Sequence, residues 1–227
     1  MNQFLKSFDD PEAVARYTDG PMRFVPGLAD MHRMTAILLA ERAPQDARIL
    51  VLGAGGGMEL KALAEAEPGW TLDGVDPAPE MLKLASRTLG PLADRASLHE
   101  GYIEDAPEGP FDAAVCLLTL HFLEREERGR TVAEIHRRLA PGAPFVAAHA
   151  SFPQSAVERP LWLSRYAAFA VASGIEPAIA ENARAAVDAS LPAIAPEDDE
   201  AIFRAAGFSD VSQFYAAFTW RGWIAYA

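Results

Sequence analysis

The residues best suited to chemistry in this 227-residue chain are a glycine cluster, one acid placed beyond it, and a few histidines. The glycines follow a short apolar run, Arg48-Ile49-Leu50-Val51-Leu52, and read Gly53-Ala54-Gly55-Gly56-Gly57. A buried strand that turns at once into a helix needs residues without Cβ, both to make the turn and to let a ligand lie against the backbone. Asp76 closes the next apolar run, about 20 residues on, a distance that crosses one helix and reaches the tip of the neighbouring strand. A carboxylate there can accept hydrogen bonds from both hydroxyls of a ribose, so an adenosine-containing ligand is expected.

The glycine spacing narrows the ligand. A dinucleotide site wants G-x-G-x-x-G, and Met58 stands where its third glycine would be. No Gly-Lys-Ser/Thr follows to grip a triphosphate. Of the histidines, His149 follows a later apolar run, at the edge where open α/β sheets bind ligands. An imidazole there can take a proton from a hydroxyl or amine, or be a plain hydrogen-bonded histidine. His121, between Leu120 and Phe122, is expected to pack or to shield the ligand. The five histidines show no zinc-protease spacing and the single Cys116 cannot build a thiolate site, so no metal is expected.

Those residues need elements to hold them. Periodicity predicts a short helix near Pro11 to Tyr17, and a second with Met31, Met34, Ile37, Leu38 and Ala40 on one face, ending before Pro44. Strands then alternate with helices: strand 48–52, helix 58–67, strand 70–75, helix 79–89, strands 96–99 and 111–117, helix 124–139, strand 144–148. This rhythm implies right-handed crossovers and a parallel sheet. Residues 151–195 read as a helical, aromatic-bearing cap over the strand tips. Pro196-Glu197-Asp198-Asp199 opens a helix, its acids matching the macrodipole, and Gly207 ends it. Strands 208–215 and 218–226 then close the chain as a hairpin. The expected organisation is one domain over 1–227, with helices in 1–45 and the cap as an insertion.

Composition bounds the partners. Half the residues are hydrophobic, enough for a full core, while the formal charge of −12 opposes approach to phosphate backbones. No nucleic-acid substrate is expected. The N-terminus lacks the order of a secretory signal and no run is long enough to span a membrane, so the reading is a soluble, cytoplasmic protein.

Three segments together resemble the class I S-adenosylmethionine-dependent methyltransferases over nearly the whole chain. They are the glycine cluster, Gly74-Val75-Asp76-Pro77-Ala78-Pro79-Glu80-Met81-Leu82, and Phe111-Asp112-Ala113-Ala114-Val115-Cys116-Leu117-Leu118-Thr119-Leu120-His121-Phe122-Leu123. Within that superfamily the chain is most similar to the carboxy-S-adenosylmethionine synthase group and its methyltransferase relatives. That likeness rests on Arg23-Phe24-Val25-Pro26-Gly27, Thr119 to Glu124 followed by Glu127-Arg128, and Ala206-Gly207-Phe208. The resemblance implies a Rossmann-like α/β fold: a seven-stranded methyltransferase sheet, parallel with an antiparallel carboxyl-terminal hairpin, plus the helical cap. It implies S-adenosylmethionine as cofactor, S-adenosylhomocysteine as product and a small-molecule methyl acceptor, with a homodimer left open.

Carried over onto this chain, the resemblance gives the cofactor Gly53, Ala54, Gly55, Gly57, Asp76, Pro77 and Met81. The carbonyls of Leu117 and Leu118 would meet its ammonium, and Ile103, Glu104 or Asp105 the adenine amine. Tyr17 and Arg23 would close over it. Trp162 and Tyr166 recur with Phe169 at helical spacing, as cap packing or as an aromatic substrate cage. Arg184 falls where the synthase group keeps a carboxylate-binding arginine, although a solvated surface arginine fits as well. Three departures matter. The acid that usually precedes the glycine turn is Val51, which removes an interaction with the amino-acid end of the cofactor. The usual Gly-Asp after the third strand is Gly101-Tyr102, and Leu28 replaces an aromatic after Pro-Gly. Two other readings therefore stand beside the methyltransferase: a carboxy-S-adenosylmethionine synthase and a non-catalytic binding module.

Overall fold

The structure, a computed structural model, describes Val14 and residues 19–227. The helix expected near Pro11 to Tyr17 lies, apart from Val14, outside these residues, as does Tyr17 itself.

Seven strands, β1 (Arg48–Leu52), β2 (Thr71–Asp76), β3 (Ala96–Glu100), β4 (Ala113–Leu117), β5 (Pro144–Ala150), β6 (Ser209–Ala217) and β7 (Trp220–Tyr226), form one sheet. Their order is β3-β2-β1-β4-β5-β7-β6. The first five are parallel, and β7 runs antiparallel to both β5 and β6. The expected seven-stranded sheet with its carboxyl-terminal hairpin is thus present. Helices α1 (Asp19–Phe24), α2 (Leu28–Ala40), α3 (Met58–Ala66), α4 (Pro79–Leu89), α5 (Arg125–Arg138), α6 (Glu158–Ala172), α7 (Pro177–Ser190) and α8 (Pro196–Ala205) surround it.

Strand alternation divides the core into two. Ile49 and Val51 of β1 point to the layer holding Met31 and Leu39 of α2 with Leu60 and Leu63 of α3. Leu50 and Leu52 point to the opposite layer, with Val132 and Ile135 of α5 and Phe203 of α8. A strand covered on both faces must be apolar throughout, which is why 48–52 reads as a run and not as an alternation.

Some boundaries shift for identifiable reasons. Phe111 stays out of β4, because its N–H donates to the Arg138 carbonyl at the end of α5 and it makes only a single bridge, to Leu139. Strand β5 extends to Ala150 because β7 pairs with it as far as Trp220. On α2 the buried face carries Leu28, Met31, Thr35, Ala36 and Leu39, while Ile37 is exposed.

The insertion forms the two helices α6 and α7. Leu163 packs with Ala150, Phe152, Leu191 and Ala193, flanked by Trp162 and Trp220, at the carboxyl end of β5. Against α1, the Tyr166 ring stacks on Phe24 at 5.2 Å and Arg23 donates to the Gly174 carbonyl at 3.4 Å.

Candidate active site

A cavity of about 440 Å³ opens at the carboxyl ends of β1, β2 and β4, where the strand order reverses direction around β1. That is the place where open α/β sheets bind ligands. The glycine turn forms its floor. A Cβ on Gly53 (φ +76°) would stand 1.9 Å from Thr119 Oγ1, so the missing side chain lets the turn meet the segment after β4. A Cβ on Gly57 would lie 2.7 Å from Ala85 Cα, so that glycine lets α3 start against α4. At Gly55 (φ +46°) the nearest atom, Met81 Cε, is 3.5 Å away; there the requirement is conformational, with open space for a ligand.

Asp76 ends β2 and is fixed by two backbone donors. Gly55 N–H donates to Oδ2 and Ala78 N–H to Oδ1, both at 2.9 Å. Burial pushes its pKa up, and the amides of Ala78 and Gly55 partly offset this. Each oxygen keeps acceptor capacity for a ribose hydroxyl. At the end of β4, Leu118 takes the left-handed conformation (φ +55°), which bulky residues adopt only at a cost of about 1–2 kcal/mol. Its N–H donates to the Ala148 carbonyl at 2.6 Å, and Thr119 Oγ1 donates to the Leu117 carbonyl at 3.0 Å. The chain is thereby turned so that Leu117, Leu118 and Thr119 all border the cavity.

Of the residues expected at a cofactor, Gly53, Gly55, Asp76, Pro77, Met81, Ile103, Glu104, Leu117 and Leu118 line this cavity. Asp105 does not, because its carboxylate accepts the Tyr102 N–H at 3.0 Å. Ala54 is buried, close beneath Gly74, and Gly57 is held by α4; neither borders the space. Arg23 is directed to the Gly174 carbonyl instead.

Four more of the expected site residues lie outside the cavity. His149 is fully buried and outside the cavity, with Nε2 3.1 Å from Asp199 Oδ1, because β7 and α8 close over its end of β5. Asp199 also accepts from Arg128 at 2.7 Å. Burial alone would raise the Asp199 pKa, but His149 and Arg128 bring it below the usual carboxylate range. Arg184 is bound along its own helix, 2.6 Å from Glu181 and 3.9 Å from Asp188. Trp162 lies under the guanidinium groups of Arg165 and Arg221, at 4.6 and 5.2 Å, and Tyr166 is the partner of Phe24. No residue of the insertion lines the cavity; the insertion packs against α1 and the carboxyl end of β5.

Other lining residues escape the sequence reading. Pro21 of α1 with Leu28 and His32 of α2 form one wall, and Phe122, Leu123, Glu127, Arg130 and Thr131 another. Burial lowers the His32 pKa to about 4, so the imidazole is neutral. Glu59, in the first turn of α3, is only 9% exposed; burial pushes its pKa up to about 8, with the Asp76 charge adding to the shift. The sequence signal for both was weak: an acid at a helix start suits the macrodipole, and a lone histidine in an apolar helix has no partner motif. Among the described residues no cluster of histidine, cysteine and acidic side chains could hold a metal.

A family model described as a methyltransferase domain matches residues 50–145, which contain the glycine turn, Asp76 and β4. This match and the seven-stranded sheet support a class I S-adenosylmethionine-dependent methyltransferase, with S-adenosylmethionine as cofactor. Among individual proteins, it is 27% identical to a carboxy-S-adenosyl-L-methionine synthase from Chromohalobacter salexigens, over 97% of this chain and 83% of that one. It is 29% identical to a synthase of the same name from Methylococcus capsulatus, over 98% of this chain and 94% of that one. An O-methyltransferase family protein from Burkholderia thailandensis shares the fold, with a TM-score of 0.71 at 16% identity, covering 99% of this chain and 62% of that one.

The residues present fit such a cofactor. Asp76 offers two acceptors to a ribose, and the turn at Gly55 leaves backbone open beside it. Met81, Ile103 and Leu118 line the same space and would give an adenosine non-polar contacts. No helix among the described residues is long and apolar enough to cross a membrane.

Proposed function

We propose that the chain transfers the methyl group of S-adenosylmethionine to a small-molecule acceptor. The observation that carries this reading is the cavity itself, in which the ribose acid and glycine turn share one space with a second wall of Pro21, Leu28 and His32. A space of about 440 Å³ is of the size that holds a small molecule such as the cofactor. The net charge of −12 argues in the same direction, against a nucleic-acid acceptor.

The cofactor's sulfonium supplies an already activated methyl group, so the protein's part is chiefly orientation and exclusion of water. Asp76 would fix the ribose. Neutral His32 can accept a hydrogen bond from an acceptor hydroxyl or amine and so aim its lone pair. His149 has no part in this reading.

Carboxy-S-adenosylmethionine synthesis is the second reading, favoured by the similarity to synthases over 97% of the chain. Against it stands the engagement of Arg184 by Glu181, which leaves that guanidinium without a cavity carboxylate to hold. Mass spectrometry of the ligand carried through purification separates the two. S-adenosylhomocysteine together with methyl transfer to small hydroxylated or amino compounds supports the transferase. A cofactor heavier by one carboxylate overturns it in favour of the synthase.

A further inference from the structure

We infer that the Glu59 carboxylate is the counter-ion for the ammonium group at the amino-acid end of S-adenosylmethionine, replacing the acid that the chain lacks at Val51. The inference rests on the cofactor assignment and deepens it. Glu59 is the second residue of α3, directly after the glycine turn, and borders the cavity together with Gly53, Asp76, Leu117 and Thr119. Nine-tenths of its surface is buried. Among the described residues no cation shifts its titration: its carboxyl group has only its own backbone amide, and Asp76 adds a like charge. A carboxyl group so placed is held protonated until a cation arrives. The start of α3 adds the positive end of a helix dipole, which favours the ionised form once that cation is present.

Chemistry selects the ammonium over the sulfonium. The sulfonium charge disappears as the methyl leaves, so an anion against it would stabilise the reactant more than the transition state and slow the transfer. A carboxylate there would also be the nearest nucleophile to the methyl group. The ammonium keeps its charge throughout, so holding it binds reactant, transition state and product alike. The position agrees: Glu59 is near enough to Asp76 at the end of β2 and to Cys116 on β4 for their charges to act on each other, and it shares the cavity lining with Gly53 and Leu117.

The test is calorimetry on wild type and Glu59→Gln with three ligands: S-adenosylmethionine, S-adenosylhomocysteine and 5′-methylthioadenosine, which lacks the amino-acid end. Glutamine mimics the protonated carboxyl, so the ligand-free variant should fold normally. Affinity for the first two ligands should fall by the same factor, about ten- to a hundredfold for a lost charged hydrogen bond, with 5′-methylthioadenosine unaffected. Titration at pH 7 in two buffers of different ionisation enthalpy should show proton release on binding in wild type and its loss in the variant. The other ionisable groups of the cavity among the described residues (Asp76, His32, Tyr102, Glu104, Glu127 and Arg130), and Cys116, are the same in both proteins and cancel. Unchanged affinity in Glu59→Gln overturns the inference, as does a loss confined to S-adenosylmethionine, which would put the carboxylate at the sulfonium. An equal loss for 5′-methylthioadenosine also overturns it. Wild type that binds none of the three overturns the cofactor assignment itself.

Discussion

Glu59→Gln in the ligand-free protein should remove part of its pH dependence of stability. The folded state raises the Glu59 pKa from 4.5 to about 8. Below pH 4.5 the carboxyl is protonated whether the chain is folded or not, and its burial in neutral form is complete. Between pH 4.5 and about 8 the unfolded chain has lost a proton that the folded chain keeps, so stability falls as pH rises, and above that window it is flat. At about 1.4 kcal/mol per pH unit the interval sets a ceiling of about 5 kcal/mol. Water entering beside a cavity-lining group lowers this, and about 2–4 kcal/mol is expected. For a chain of this size each kcal/mol corresponds to about 2–4 °C in melting temperature. Urea unfolding of both proteins at pH 5, 6, 7 and 8 measures it. The contributions of Asp76, whose pKa is also raised, and His32, whose pKa is lowered, are shared by the two proteins. The stability of the glutamine protein relative to wild type should therefore climb steadily from pH 5 to pH 8. Parallel curves would mean that Glu59 ionises freely in the fold, and the reasoning from burial would fail.

Three further outcomes follow from the same geometry. Asp76→Ala should weaken S-adenosylmethionine binding by about 1–3 kcal/mol, the range for hydrogen bonds to a charged group, and equal affinity by calorimetry would remove the ribose assignment. Gly53→Ala should destabilise by about 2–5 kcal/mol, a left-handed alanine plus a Cβ driven onto Thr119, whereas Gly55→Ala should cost only about 1 kcal/mol of conformational energy; similar melting temperatures for the two would contradict the packing argument. Arg184→Ala should leave the affinity for S-adenosylmethionine unchanged, since Arg184 pairs with Glu181 and Asp188 of its own helix, and a selective loss of a carboxylated cofactor would reinstate the synthase reading.

What the sequence makes legible is what depends on local pattern. Strand β1 is readable because a strand buried on both faces must be apolar throughout, and Asp76 because one crossover helix fixes its distance from the turn. His149 is less legible for the opposite reason. Its position at the end of a strand is local, but whether that end is open depends on β7 and α8, which come more than 40 residues later and bring Asp199 and Trp223 onto the imidazole. The aromatic spacing of Trp162 and Tyr166 is real helix periodicity, yet periodicity does not say that the face will meet Arg221 and Phe24 in place of a substrate. His32 and Glu59 escape because each conforms to an ordinary helix position; only the packing of α2 and α3 around the glycine turn gives them a common cavity.

The insertion contributes no side chain to the cavity, but it does fix one of the cavity's walls. Pro21 belongs to α1, a helix of 6 residues, too short to hold its own shape in water. Its outer side is held by the Tyr166 ring on Phe24 and by the Gly174 carbonyl on Arg23. From the sheet, the Trp220 indole donates to the Phe24 carbonyl at 2.9 Å, and the Tyr215 hydroxyl donates to the Pro26 carbonyl. Four contacts from three distant segments thus hold α1 and the start of α2, and with them Pro21, Leu28 and His32. A substitution in α6 can therefore change the wall facing an acceptor without touching the acceptor. The aromatic residues of the insertion act on the site by position and not by contact, since Tyr166 is spent on Phe24 and Trp162 on two arginines.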